Sequence, residues 1–463
     1  MQFMMMLDTD YTRSSQESIA IIGGGMMGIA AAFYLAKSGR FRVTIFEKDK
    51  QLGGLSTYYQ WQDIVWDRFY HVILSTDAPL RAFLAELQLQ EDIFWRETKT
   101  GFYGEGRLVS LSSTMDFIRF PFMSLWQKFR MGLGILYCGR IKDPAKLDKI
   151  YVRAWLTNVF GRRVYENIWD PLLRSKLGGA REKTSAAFIW ATITRLHGAR
   201  SAGSQREQMG HVHGGYHAIL TTAAKRLAEL NVTVNTETEV VRVEPLQRRY
   251  ATDKHEHAGI SVITNAGSAV VDKVLFTIPC QHVLQILDPP EDHPYWQQLR
   301  QVEYLSIACV FLILTRKLSP YYVINLLEQD LPFTGIIEAT NVVSPDEVGG
   351  HHLVYLPKYM PPDDPVNRLS DDEIITLFIA KLQTVFPNLK QEEILHAQIF
   401  REQYVQPLQE LHASERAFDS KTPFPGVYIV NTAMIQHSTL NNNAVVSLAA
   451  RVSAILSDDA RSP

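Results

Sequence analysis

The sequence predicts an α/β fold built on parallel strands, and three observations predict it. A short apolar run, Ser18-Ile19-Ala20-Ile21-Ile22, passes through the glycine-rich stretch Gly23 to Gly28 directly into a strong helix former, residues 29–36. A second strand-like run, Arg42-Val43-Thr44-Ile45-Phe46, follows that helix and ends on an acid, Glu47. Strand and helix signals alternate again over residues 214–243, and a last pair closes the sequence at residues 426–431 and 445–456. Strands that are apolar at every position are buried on both faces, as in a parallel sheet covered by helices.

The first strand, loop and helix stand in the order that a phosphate-binding turn requires. Gly23 permits the tight turn, Gly25 lets the backbone approach a pyrophosphate, and Gly28 lets helix and strand pack closely. Met26 and Met27 fill the variable positions between them. The helix N-terminus offers unpaired N–H groups and a positive dipole end to the phosphates. Glu47 stands nineteen residues after Gly28, where a carboxylate accepts hydrogen bonds from both ribose hydroxyls and repels a 2′-phosphate. A dinucleotide without that phosphate is the expected ligand.

A second glycine pair follows the acid in Lys48-Asp49-Lys50-Gln51-Leu52-Gly53-Gly54-Leu55-Ser56. Glu, five residues, Gly-Gly and then Ser resembles the extended fingerprint of the flavin amine oxidase superfamily. That group includes protoporphyrinogen oxidases, phytoene-type desaturases and, more distantly, UDP-galactopyranose mutases. The resemblance implies a Rossmann-like domain holding FAD, with Lys48, Gly53, Gly54, Leu55 and Ser56 beside it. It continues at Asp67-Arg68-Phe69-Tyr70-His71, where these families bring the chain past the flavin ring, and at Gly214-Gly215-Tyr216-His217. The backbone near Val241 resembles the one that meets the adenine. Asn431 stands where many relatives have Gly-Asp or Gly-Asn, and Asn442, in the run Asn441-Asn442-Asn443, opens a helix toward the flavin. Simple N-capping is an equal reading of that run.

The order of these pieces implies an interrupted layout. The FAD-binding domain takes residues 15–72, 206–290 and 416–463. A helical insertion, 73–205, and a strand-rich α+β substrate domain, 291–415, lie between them. The 463 residues exceed a typical domain of roughly 100–200, and 46% hydrophobic content supports a large core. A net charge of -2 gives no reason to expect nucleic acid. Cys138, Cys280 and Cys309 are far apart, and His351-His352 lacks a third ligand, so neither a disulfide framework nor a metal site is expected. The first 18 residues are too acidic for a secretory signal and no apolar run spans a membrane, which reads as a cytoplasmic protein.

The implied function is an FAD-dependent oxidoreductase that takes hydride from C–C or C–N bonds of an apolar or cyclic small molecule and passes electrons to oxygen or a quinone. A non-redox flavoenzyme similar to UDP-galactopyranose mutase, which needs an arginine pair to clamp a diphosphate, is the alternative; a flavin-binding scaffold is a third. His71 is the best candidate for a proton-handling residue beside the flavin, with a structural hydrogen bond to backbone or cofactor as the competing reading; Tyr70 competes for the same role, because strand neighbours point to opposite faces. Lys176 is read as solvated rather than as an anion site. Glu338, inside an apolar strand, is expected to pair with an arginine. The stripe from Met115 to Tyr137 carries Arg119, Lys128 and Arg130. It is read as packing against the cofactor domain, with dipping into a membrane face as the second reading.

Overall fold

The computed structural model describes residues 16–201, 208–246, 259–436 and 438–459. At its centre is a parallel five-stranded sheet in the order Thr233–Asn235, Phe41–Phe46, Glu17–Ile22, Lys273–Phe276 and Val427–Ile429. Glu17–Ile22 is β1, Phe41–Phe46 is β2, and the helix joining them, Met26–Lys37, is α1. Alternation along β1 explains its uniform apolarity. Ile19 and Ile21 enter a core with α1 and the helices Gly215–Glu229 and Asn442–Asp459. Ala20 and Ile22 enter a second core with the helix Cys280–Leu287 and the antiparallel strands Val240–Pro245 and Ile260–Thr264.

A seven-stranded mixed sheet forms the second layer, centred on Tyr304–Leu314 and His352–Met360. Tyr304–Leu314 again feeds two cores by turns. Ile307, Cys309, Phe311 and Ile313 join Trp66 and Phe69, while Ala308, Val310, Leu312 and Leu314 join the helix Asp371–Val385 through Ile374, Phe378 and Leu382. The last two strands at one side of this sheet, Thr100–Gly104 and the edge strand Arg107–Ser110, come from the segment expected to be helical. That segment is therefore mixed. Its expected end at residue 205 lies outside the described residues.

The stripe from Met115 to Tyr137 is two helices, Thr114–Arg119 and Leu125–Arg140, each opened by a capping box. The packing expected against the cofactor domain is corrected: one face of the stripe packs on helices of its own segment, Val152–Phe160 and Ala186–Ser201, and the other packs on nothing among the described residues. Met131, Gly134 and Cys138 are buried, whereas Leu125, Trp126, Phe129 and Leu133 are all more than 50% exposed. Two expected cations of the stripe turn inward: Lys128 Nζ donates to Ile118 O at 2.6 Å, and Arg130 to Asn158 O and Val159 O at 2.7 and 3.2 Å. Carbonyls at the C-terminal ends of two helices, Thr114–Arg119 and Val152–Phe160, take their charge, and Arg119 and Arg140 are left exposed beside the apolar face. Among the described residues no helix is long and apolar enough to cross a membrane.

The glycine at position 28 tests how closely α1 must meet β1. A Cβ there would stand 2.0 Å from Gly23 O, and only backbone movement relieves that. Gly28→Ala is expected to cost about 1–3 kcal/mol of stability. A thermal-unfolding midpoint equal to that of the unsubstituted protein would contradict this account of the turn.

Candidate active site

Residues of both sheets line one cleft of about 2210 Å³. Its outer end consists of two glycine turns in contact. Gly53 N–H donates to Gly24 O at 2.8 Å, and Gly25 and Gly53 form an isolated parallel bridge. Gly53 and Gly54 hold φ of +128° and +55°. A Cβ on Gly54 would come within 3.2 Å of Gly25 Cα, so conformation and approach both select glycine. Gly25 differs: a Cβ there meets nothing nearer than Gly54 Cα at 3.9 Å. The space above it belongs to the cleft. α1 begins at this point with no side chain capping its first N–H groups, which leaves them for a phosphate.

Glu47 ties the first turn to the second strand. Its Oε2 accepts from Gly24 N–H at 2.6 Å and its Oε1 from Asp49 N–H at 2.9 Å. Burial raises its pKa, against the pull of those two amides, and each oxygen keeps a lone pair for a hydroxyl. Gly23, Met26, Met27, Lys48, Leu55 and Ser56 line the same end. Val241 joins them from a bulge in its strand, half exposed.

The three asparagines divide the work between them. Asn441 Oδ1 accepts from Ala444 N–H at 2.9 Å and is the cap. Asn442 Nδ2 donates to Ser56 Oγ at 3.0 Å and to Tyr216 OH at 2.7 Å, which fastens the C-terminal helix to the second glycine turn. Asn443 Oδ1 accepts from Leu80 N–H at 3.0 Å. Asn431 also lines the cleft, but its amide donates to Ile278 O at 3.0 Å and Cys280 Sγ at 3.4 Å, and its Oδ1 accepts from Ala433 N–H. One Oδ1 lone pair remains for a ligand.

Tyr70 and His71 both line the cleft, so the expectation that only one would reach it is corrected. They lie in irregular chain between the strands Ile64–Asp67 and Ile73–Leu74, where the two-face rule of a strand does not apply. His71 Nδ1 lies 2.9 Å from Phe69 O. A carbonyl only accepts, so the proton sits on Nδ1 and the lone pair on Nε2. Burial pushes its pKa down to about 4, leaving a neutral imidazole at pH 7. Tyr70 OH meets Tyr359 OH at 3.4 Å, and burial holds its pKa well above the ordinary value. Asp67, named in the sequence only as part of a motif, is a buried carboxyl raised to about 7 by desolvation; Tyr216 N–H donates to its Oδ1 at 2.8 Å. An acid closing a strand behind Trp66 was the signal available for it.

The inner half of the cleft is apolar, with Phe102, Phe120, Met131, Ile135, Phe188 and Ile189 in its walls. Lys176 faces this chamber and is half-buried there, not on the freely solvated surface. Its ammonium lies 5.6 Å from the Phe188 ring centroid and 5.4 Å from that of Tyr359, and burial, then the Arg195 charge, lowers its pKa to about 8. Sequence spacing gave it no burial signal, because a neighbouring sheet supplies Tyr359. Glu338 is also corrected. It accepts from Leu318 N–H, Ser319 N–H and Ser319 Oγ at 2.9, 2.9 and 3.0 Å, so a loop fills the place expected for an arginine.

The open space above Gly25 gives the test of the cradle. Gly25→Val fills the pyrophosphate position without a clash in the free protein. FAD binding is expected to be lost, read as loss of the flavin visible band, while the unfolding midpoint of FAD-free protein stays unchanged. Full flavin content in the variant would place the dinucleotide elsewhere.

Comparison with known proteins agrees with this geometry. The model of the family described as flavin containing amine oxidoreductase matches residues 26–447. Mitochondrial protoporphyrinogen oxidase of Nicotiana tabacum is 26% identical over 187 residues, 40% of this chain and 37% of that protein. The 15-cis-phytoene desaturase of Solanum lycopersicum is 21% identical over 392 residues, 80% of this chain and 64% of that protein. The chain thus spans less than two thirds of the length of either relative. Among solved structures, an oxidoreductase from Methanosarcina mazei superposes with a TM-score of 0.73 at 17% identity, covering 94% of this chain and 99% of that one. Reduced UDP-galactopyranose mutase gives 0.71 at 15% identity, covering 96% and 95%. Two joined glycine turns, an acid at the end of β2 and a family match over most of the sequence have one reading: the chain belongs to the flavin-containing amine oxidoreductases and takes FAD as its cofactor.

Proposed function

We propose that this chain oxidises a C–C bond of an apolar small molecule, removing a hydride and a proton to leave a double bond. The observation that carries this is the continuity of the FAD cradle with an apolar chamber that offers an ammonium group no carboxylate of its own. Among the described residues, the inner acids Asp77 and Glu402 are engaged, with Arg195 at 3.2 Å and Arg68 at 3.3 Å. An amine would meet Lys176 instead, which repels it. The same pairings count against the mutase reading, since neither arginine is left to clamp a diphosphate. The division of the chain into an FAD-binding domain at 15–72, 206–290 and 416–463, an insertion and a substrate domain belongs to this proposal.

Bound FAD supplies the two-electron acceptor and the route onward to oxygen or a quinone. The chain's own residues handle position and the proton. The apolar walls exclude water and hold the hydrocarbon body by burial. Neutral His71, with Nε2 available, accepts the proton lost from the substrate, and Asp67 behind it stabilises the imidazolium that results; His71 Nδ1 and Asp67 Oδ2 are 3.9 Å apart. Tyr70, pinned to Tyr359, stays protonated and serves as a donor. The exposed apolar face of Leu125–Arg140, whose other side lines the chamber through Met131 and Ile135, rests in this reading on an anionic membrane surface that delivers the substrate.

Two measurements test this reading. Anaerobic mixing with protoporphyrinogen, 15-cis-phytoene and putrescine is expected to bleach the flavin band with an apolar compound and not with putrescine; bleaching by putrescine alone sinks the proposal. With the compound that bleaches it, His71→Ala should slow flavin reduction by roughly 10²–10⁴-fold, and an undiminished rate removes His71 from the chemistry. Sedimentation with vesicles of phosphatidylglycerol and phosphatidylcholine should capture the protein, and Trp126→Ser with Phe129→Ser should release it. Equal capture of that double variant refutes the membrane contact.

A further inference from the structure

Lys176 is the charge in the chamber that the protein leaves without a partner. Among the described residues no hydrogen bond or ion pair reaches it, whereas Arg195 beside it is held by Asp77 and by Thr439 Oγ1 at 3.1 Å. It sits in the last turn of the helix Asp170–Leu177, so its stem is fixed from the backbone. The ring faces of Phe188 and Tyr359 recover only part of what desolvation of an ammonium costs. Arg195 adds repulsion to that cost. A half-buried cation kept this way in a ligand chamber is complementary to an anion that arrives with the ligand.

A second donor lies on the same wall. Tyr70 OH and Tyr359 OH are 3.4 Å apart and carry two protons, of which their mutual hydrogen bond uses one. Both phenols have pKa values raised by burial, so neither gives up its proton at neutral pH. One O–H therefore remains for a ligand, on the tyrosine pair whose ring Lys176 overlies.

We propose that the substrate carries an oxyanion, a carboxylate or a phosphate, that docks on Lys176 with the spare hydroxyl of the Tyr70–Tyr359 pair as second donor. The anchored acid fixes one end of the molecule at the helix Asp170–Leu177 and leaves the apolar body to lie along the chamber. The substrate class is thereby an apolar acid rather than a pure hydrocarbon or an amine. This inference rests on the reading of the chamber as the site of oxidation.

The test uses FAD-loaded protein and four probes of one chain length: decanoate, decyl phosphate, decanol and decylamine. Binding is read from the shift of the flavin visible band, without turnover, so failure of the oxidation assay and failure of this test are separate results. At least one acid is expected to bind about tenfold or more tighter than decanol. A margin for decanoate alone or decyl phosphate alone supports the proposal and names the oxyanion. Lys176→Met should abolish the margin and leave decanol binding intact, while Lys176→Arg keeps it; Lys176→Gln replaces the methionine variant if that one fails to load FAD. The proposal is overturned if neither acid exceeds decanol, if decylamine binds tightest, or if the margin survives in the variants without charge.

Discussion

The hydrogen bond from Gly53 N–H to Gly24 O is the contact on which the rest of the site depends. It sets the second glycine turn directly against the first, so that the hollow above Gly25 opens toward Leu55, Ser56 and the chamber beyond. The second turn carries the tighter constraint, since a Cβ on Gly54 would come within 3.2 Å of Gly25 Cα. Everything downstream inherits its position from this junction. Glu47 is held by the first turn, Ser56 is carried by the second, and Asn442 is fastened both to Ser56 and to Tyr216.

Electrostatics then divides the cleft into two environments. Around the turns, backbone amides and a helix N-terminus favour negative charge at little cost, because those donors are unpaired in any case. Farther in, burial shifts three groups toward their neutral forms: Asp67 up to about 7, His71 down to about 4 and Lys176 down to about 8. The imidazole is thereby neutral at pH 7, beside a carboxyl of raised pKa. The ammonium is the exception that remains mostly charged at pH 7, and it faces the chamber rather than the turns.

What the sequence disclosed and what it hid follow from the range of the interactions. The strand, Gly23 to Gly28 and Glu47 are legible because turn, helix start and strand end lie within thirty or so residues and have fixed geometric roles. Tyr304 to Leu314 is legible as a strand because its apolar run is long and β-branched residues recur in it. Lys176 and Glu338 are misread because a charge in an apolar context has no local signature of its partner. Glu338 finds backbone N–H groups some twenty positions away, and Lys176 finds an aromatic ring on a different sheet. Lys128 and Arg130 look like the polar face of a surface helix until neighbouring carbonyls are placed beside them. Tyr70 and His71 defeat the alternation rule because the chain there is not a strand.

Asn442 also bears on how the protein comes to be made. Its partner Ser56 is 386 residues away in sequence, and Tyr216 is 226 residues away. Contacts of such separation form late, since the chain between them must be ordered or looped first. During synthesis the glycine turns emerge early, yet the part of the cleft wall that Asn442 completes is absent until almost all of the described chain has left the ribosome. The first turn waits as well, since Thr277 Oγ1 donates to Gly23 O at 2.9 Å from 254 residues away. Cofactor capture becomes a late event, and the yellow colour of the protein reports completed assembly and not merely the presence of the first fold unit.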